Sequence, residues 1–167
     1  WDGDTVASHN VPMSEYRLGD MMRPKVEALA EIVRLKTCMD IVTHSEMYRG
    51  EPLKTAVVAC VDDMETRMII WDRIKNNPLV GFFVDTRIVG EYIEVFAIRT
   101  CNPEDIAYYE YFIYPSTNAY MATCGLHGAK HVSGTAANAA CAALTQWWKG
   151  SIPKRHLKML CGHFQEV

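Results

Sequence analysis

The sequence predicts an α/β fold on a mostly parallel sheet, and three observations carry that expectation. Thr55–Val61 contains an unbroken apolar run, Ala56-Val57-Val58-Ala59-Cys60-Val61, of the kind that parallel sheets bury on both faces. A helix with one apolar stripe precedes this run, and a second, capped helix follows it within a few residues. Beyond them, Leu79–Asp85 and Tyr92–Arg99 are strand-like and separated by Gly90, which turns one side of the sheet antiparallel.

Taken in order, Trp1-Asp2-Gly3-Asp4-Thr5-Val6 reads as the end of a strand followed by an acidic turn. Pro24 opens a helix over residues 24–36, with Val26, Leu29, Ala30 and Val33 on one face and Lys36 complementing the dipole at its end. Asp40–His44 follows as a strand, and Thr55–Val61 takes a central place in the sheet. Asp63 caps a helix from Glu65 to Lys75, whose Met68, Ile70, Trp71 and Ile74 face inward before Asn76-Asn77-Pro78 stops it. Residues 101–122, aromatic-rich and without a clear period, read as an irregular crossover loop that covers a site or meets a partner. Val132–Trp148, rich in Gly and Ala, reads as a closely packed helix ended by Gly150. Pro153, Lys154, Arg155 and Lys158 belong to a solvated tail, so the division is one domain over 1–150 and a tail over 151–167.

Composition excludes several classes. The chain has 167 residues, enough for one core, and its 49% hydrophobic and 22% charged content is that of a globular domain. A formal charge of −3 gives no basic field for nucleic acid. Neither Thr55–Val61 nor Thr135–Trp148 reaches the roughly 20 apolar residues that cross a bilayer. The six cysteines form no CxxC pair, and Cys60 and Cys141 sit in apolar runs as small hydrophobes, so reduced thiols and a cytoplasmic location are expected. No basic and apolar leader opens the chain, and a start at Trp1 reads as that of a fragment.

Two acidic pairs stand at predicted strand ends, Asp2 with Asp4 and Asp62 with Asp63, where open α/β sheets take ligands. Asp2 is placed to accept from a ribose hydroxyl, and Asp62 to hold Mg²⁺ on a triphosphate. Strand-end acids are also common helix caps, Asp63 more than Asp62. Lys25, at the start of a helix, adds a cation where the dipole already favours phosphate, although a lone lysine there is usually only solvated.

The order of these pieces resembles the ThiF/MoeB/HesA family of ubiquitin-like-protein activating enzymes. It runs Asp2-Gly3-Asp4-Thr5-Val6, Ser8-His9-Asn10, Arg23-Pro24-Lys25, then Val58-Ala59-Cys60-Val61-Asp62-Asp63 with Arg67. Pro78-Leu79-Val80-Gly81 through Phe96 is similar to the family's next strand pair, and Cys124-Gly125 with its Gly/Ala-rich helix to the last crossover. The resemblance implies a Rossmann-like three-layer fold lacking its first βα unit. It implies ATP-dependent adenylation of the C-terminal carboxylate of a ubiquitin-like or sulfur-carrier protein. Asp2 would then take the ribose, Asn10 and Lys25 the phosphates, and Asp62 the Mg²⁺, with Arg67 bracing the ATP site. Cys124 would accept the activated carboxylate as a thioester, with His127 and His131 near it in sequence; a packed thiol and a loose zinc site with Cys161 or His163 are the other readings.

Three departures from the family's pattern stand in the sequence. The glycine-rich phosphate loop expected about 20 residues before Asp2 is not in this chain; Met13 stands where the family usually has Arg, with Arg17 nearby; and the paired zinc CxxC ligands are missing. These favour, as an alternative, a catalytically reduced scaffold or the inactive half of a heterodimer. A nicotinamide- or flavin-dependent oxidoreductase accounts for Asp2 but not for Lys25 and Asp62. The family habit of pairing implies a homodimer or heterodimer, with Tyr111 or Phe112 in the contact.

Overall fold

Two long strands joined by two residues form the spine of the sheet: β2, Val80–Val89, and β3, Tyr92–Arg99. Gly90 supplies the positive φ of 60° that a two-residue hairpin turn requires. The computed structural model describes residues 1–115 and 130–161, which divide into two units, Trp1–Arg49 and Gly50–Val167.

In the first unit an extended entry segment meets one α-helix, α1, Lys25–Thr37. Thr5 bridges Pro24, Val6 N donates to Arg23 O, and Lys25 N donates to Asp4 O at 2.9 Å, so Asp4 and the helix start are tied through the backbone. The helix buries Ala28 and Ile32, while Leu29 of the expected inner stripe is exposed. Asp40–His44, expected as a strand, forms none; Ile41 and Val42 are exposed, and His44 instead stacks on Trp1 with ring centroids 4.3 Å apart.

The second unit holds β1, Thr55–Ala59; α2, Met64–Ile74; the hairpin; α3, Pro103–Glu110; α4, Lys130–Trp148; and β4, His156–Leu160. The strand order is β1-β2-β3-β4, with β1 parallel to β2 and the other two pairs antiparallel. This mixed α/β sheet is therefore mostly antiparallel among the described residues, not mostly parallel. A two-residue link can only reverse the chain, and β4 returns alongside β3. β1 lies at the end of that order, not in its centre. Its apolar run alternates in burial, with Val57 and Ala59 inside and Val58 exposed.

The pleat assigns the two faces of the sheet. Phe82, Val84, Ile93, Val95 and Ala97 pack against Val132, Ala136, Ala140 and Ala143 of α4, whose small residues let the helix lie close. Phe83 and Phe96 project from the other face toward Trp71 of α2 and Tyr109 of α3. Two segments depart from expectation. The loop over 101–122 contains α3, nucleated by Asn102, whose side chain accepts from Glu104 N and Asp105 N ahead of Pro103. The tail contains β4, where Leu157 and Met159 alternate toward the α4 core. Among the described residues no helix is long and apolar enough to cross a membrane.

Candidate functional site

In the first unit the structure brings Asp2, Asp4 and Lys25 together. Asp2 Oδ1 accepts from Asp4 N at 2.9 Å, an Asx turn, and Lys25 Nζ lies 2.6 Å from Asp4 Oδ2. Tyr16 faces the same carboxylates. Burial, together with the charges of Asp2, Asp20 and Asp4, pushes its phenol up to about 12. Of the cations here, Lys25 pairs with Asp4 and Arg23 with Asp20 and Glu31. Asn10 is used locally: its Oδ1 accepts from Ala7 N at 2.9 Å and its backbone oxygen accepts from Ser14 Oγ. Met13 is half-buried and Arg17 is exposed.

In the second unit the two acids after β1 have different surroundings. Asp63 caps α2, its Oδ1 accepting from Thr66 N at 2.7 Å. Asp62 is exposed and takes no part in that cap. Arg67, one turn into α2, is buried and reaches back across the turn. Its Nη2 donates to Val61 O at 2.5 Å, its Nη1 to Asp63 O at 3.3 Å, and its Nε to Asp85 Oδ1 at 2.8 Å. The guanidinium thus braces the turn that carries Asp62, and its donors point into protein.

Asp85, Arg87 and Tyr109 were not singled out from the sequence, yet they form a buried polar cluster in this unit. The fully buried Asp85 carboxylate also accepts from Arg87 Nε and from Tyr109 Oη, each at 2.8 Å. Burial and the Asp85 charge push the Tyr109 phenol far above its ordinary value, against the opposing Arg87, so it remains a donor. A signal existed: an acid inside the apolar run Phe82-Phe83-Val84-Asp85, with Arg87 two residues on and so on the same face.

Cys124 and His127 lie outside the described residues, as does His163. Of the cysteines described, Cys38, Cys60, Cys101 and Cys141 are exposed free thiols and Cys161 is half-buried. Cys60 and Cys141 are thus not the buried hydrophobes expected, because the first follows an edge strand and the second faces away from the sheet on α4. Tyr111 is exposed, whereas Phe112 packs on Phe96, Tyr108 and His156.

His156 on β4 stacks on Phe96 at 3.9 Å and its Nδ1 lies 3.0 Å from Tyr108 Oη. Its buried Nε2 has no hydrogen-bond partner, with Glu94 3.5 Å away. Burial holds this imidazole below its ordinary pKa; Glu94 opposes the shift, and Lys158 and Arg87 add to it. As pH falls through the ordinary histidine value, the unfolded chain takes up the proton first, so stability present above about pH 6.5 is lost below it. Thermal melts between about pH 7.5 and 5 are therefore expected to fall more steeply for the parent than for His156→Phe; parallel curves would exclude this histidine as the cause.

In comparison with known proteins, no family model and no curated protein sequence matches the chain.

Proposed function

We propose that this chain is the nucleotide-binding part of an adenylating enzyme of the ThiF/MoeB/HesA type, with a Rossmann-like three-layer fold. Its substrates would be ATP and the C-terminal carboxylate of a ubiquitin-like or sulfur-carrier protein. The observation that carries this reading is the division between neighbours at the end of β1: Asp63 caps α2, and Asp62 is left exposed. A free carboxylate at the C-terminal end of a strand that runs parallel to its neighbour lies where α/β sheets take ligands. Mg²⁺ suits it, since that ion commonly uses one or two carboxylates together with water and phosphate oxygens. Among the described residues no cluster of three or more His, Cys, Asp or Glu offers an all-protein cage instead.

In this reaction a carboxylate oxygen of the carrier attacks the α-phosphorus of ATP. The bond from that phosphorus to the oxygen of the departing pyrophosphate breaks, and an acyl adenylate remains. No proton is removed from the attacking group, so the chemistry calls for cations and preorganised donors rather than a general base. Asp62 would hold Mg²⁺, which when bound screens the phosphate charge. The resemblance assigns the ribose to Asp2 and a phosphate to Lys25, whose ammonium contacts Asp4 in the first unit. The partners implied are the carrier protein and a second subunit.

Titration of the labelled chain with Mn²⁺·ATP tests the assignment. Paramagnetic broadening is expected to concentrate on the amides of Cys60–Asp63; a spectrum in which these amides stay as sharp as those of β3 would sink it. Lys25→Ala is expected to weaken ATP binding about tenfold while leaving adenosine binding unchanged, as befits a point charge for phosphate. Equal loss for both ligands would mean that Lys25 only supports the fold. A catalytically reduced scaffold is the second reading, favoured by Met13 and by the engagement of the Asn10 side-chain oxygen with Ala7; it predicts no broadening at Asp62.

A further inference from the structure

The Asp85 carboxylate joins two places far apart in the sequence. On one side Arg67 donates to the carbonyls of Val61 and Asp63, the residues flanking Asp62. On the other, Arg87 donates from Nη1 to Phe112 O at 3.0 Å, just after α3. Asp85 Oδ1 fixes the first guanidinium and Oδ2 the second, each through Nε at 2.8 Å. Ala59, the last residue of β1, is the register partner of Asp85, so Asp85 sits on the neighbouring strand beside the end of β1.

A guanidinium is a rigid planar fork, so fixing its Nε fixes where its two Nη groups point. Neither fork can turn away without leaving a buried charge with one partner fewer, which is costly in this setting. Tyr109 locks the shared oxygen from α3, and the face of Phe96 lies 4.6 Å from the Arg87 guanidinium carbon.

We propose that Asp85, acting through Arg67, positions Asp62 for the metal-nucleotide, and through Arg87 couples that position to the chain leaving α3. The ligand named rests on the nucleotide reading above. Arg67 and Asp85 are positioning residues in this proposal, since their donors and acceptors meet protein atoms.

Hydrogen exchange on the whole chain tests the coupling. The reporting amides are Thr66 and Arg67, which donate to Asp63, and Phe112 and Ile113, which donate to Tyr109 and Glu110. Ala97 and Cys161, bonded to Arg155 and Glu91, are controls. Asp85→Asn keeps an acceptor but removes the charge, and is expected to raise exchange about tenfold at both reporting pairs, with the controls unchanged. Arg67→Lys retains a cation that cannot clasp two carbonyls. It is expected to act most on Thr66 and Arg67 and, by reciprocity, about twofold on Phe112 and Ile113.

Arg87→Lys should give the reverse pattern, and the two lysine variants decide the matter if Asp85→Asn does not fold. Effects confined to the substituted end, or spread equally to the controls, would overturn the coupling. For positioning, the Mn²⁺·ATP concentration that half-broadens the Asp62 amide is expected to rise about tenfold in Arg67→Lys, as when a ligand's supporting partner is lost. An unchanged value in a folded variant would refute the positioning role. Absence of broadening in the parent would instead sink the nucleotide reading, and leaves the coupling to be decided by exchange alone.

Discussion

Asp85→Ala is expected to unfold much of the second unit. The substitution removes the acceptor of three buried donors at once, Arg67 Nε, Arg87 Nε and Tyr109 Oη. Arg67 on α2 and Arg87 on β2 remain in place with side chains only 4% and 14% exposed, so water cannot replace the lost carboxylate without opening the structure. Breaking a buried ion pair from one side costs about 3–5 kcal/mol, against a typical domain stability of about 5–15 kcal/mol. Urea unfolding should show a midpoint displaced downward by a large fraction of its parental value. Asp85→Asn should lose less, because its amide oxygen still accepts. A midpoint for Asp85→Ala at the parental position would show that the cluster contributes nothing net to the fold.

The severity of that substitution explains why the cluster was hard to read from sequence. An acid at the end of an apolar run is the ordinary mark of a strand terminus, so the local pattern of Leu79–Asp85 does not extend past Asp85. The strand instead continues to Val89, because two arginines and a tyrosine from other elements neutralise the carboxylate within the sheet. That information is tertiary and no local window holds it. The helices and the hairpin, by contrast, were legible because their signals are local: the Asp63 cap, the stop at Asn76-Asn77-Pro78, and Gly90 between two alternating runs.

Two elements were legible but outweighed. Asn102-Pro103-Glu104-Asp105 carries a cap, a first-turn proline and first-turn acids, the regular start of a helix. The aromatic content of 101–122 masks that start, although Tyr108 and Tyr109 fall on the face that meets Phe96 and His156. In His156–Leu160 the alternation of Leu157 and Met159 was hidden by Lys154, Arg155 and Lys158. Arg155 in fact stacks over the Tyr108 ring at 4.3 Å and Lys158 pairs with Glu94, so charge here decorates a strand rather than marking a tail. The expectation of a mostly parallel sheet holds only for the β1–β2 pair, and the apolar run did not reveal this. Apolar residues at every position of 56–61 cannot say which face is covered, and burial alternates regardless.

Asp62 and Asp63, adjacent and chemically alike, should separate completely in their effects. Asp63→Ala removes an N-cap whose oxygen accepts from Thr66 N, which costs about 1 kcal/mol and lowers the melting temperature of the second unit. Its effect on activity should be modest, because Arg67 still holds the carbonyls of residues 61 and 63. Asp62→Ala should leave the melting temperature where it was, since the exposed side chain caps nothing. In the full-length protein it should nevertheless abolish carrier-dependent exchange of pyrophosphate into ATP, because no second carboxylate in the turn is free to hold the metal. Measuring both properties on both variants gives a crossed pattern that neither a general loss of stability nor a general loss of negative charge can produce. Exchange at the parental rate in Asp62→Ala would remove the metal role. Equal losses of activity in the two variants would assign the defect to distortion of the turn, leaving Asp62 without a function of its own.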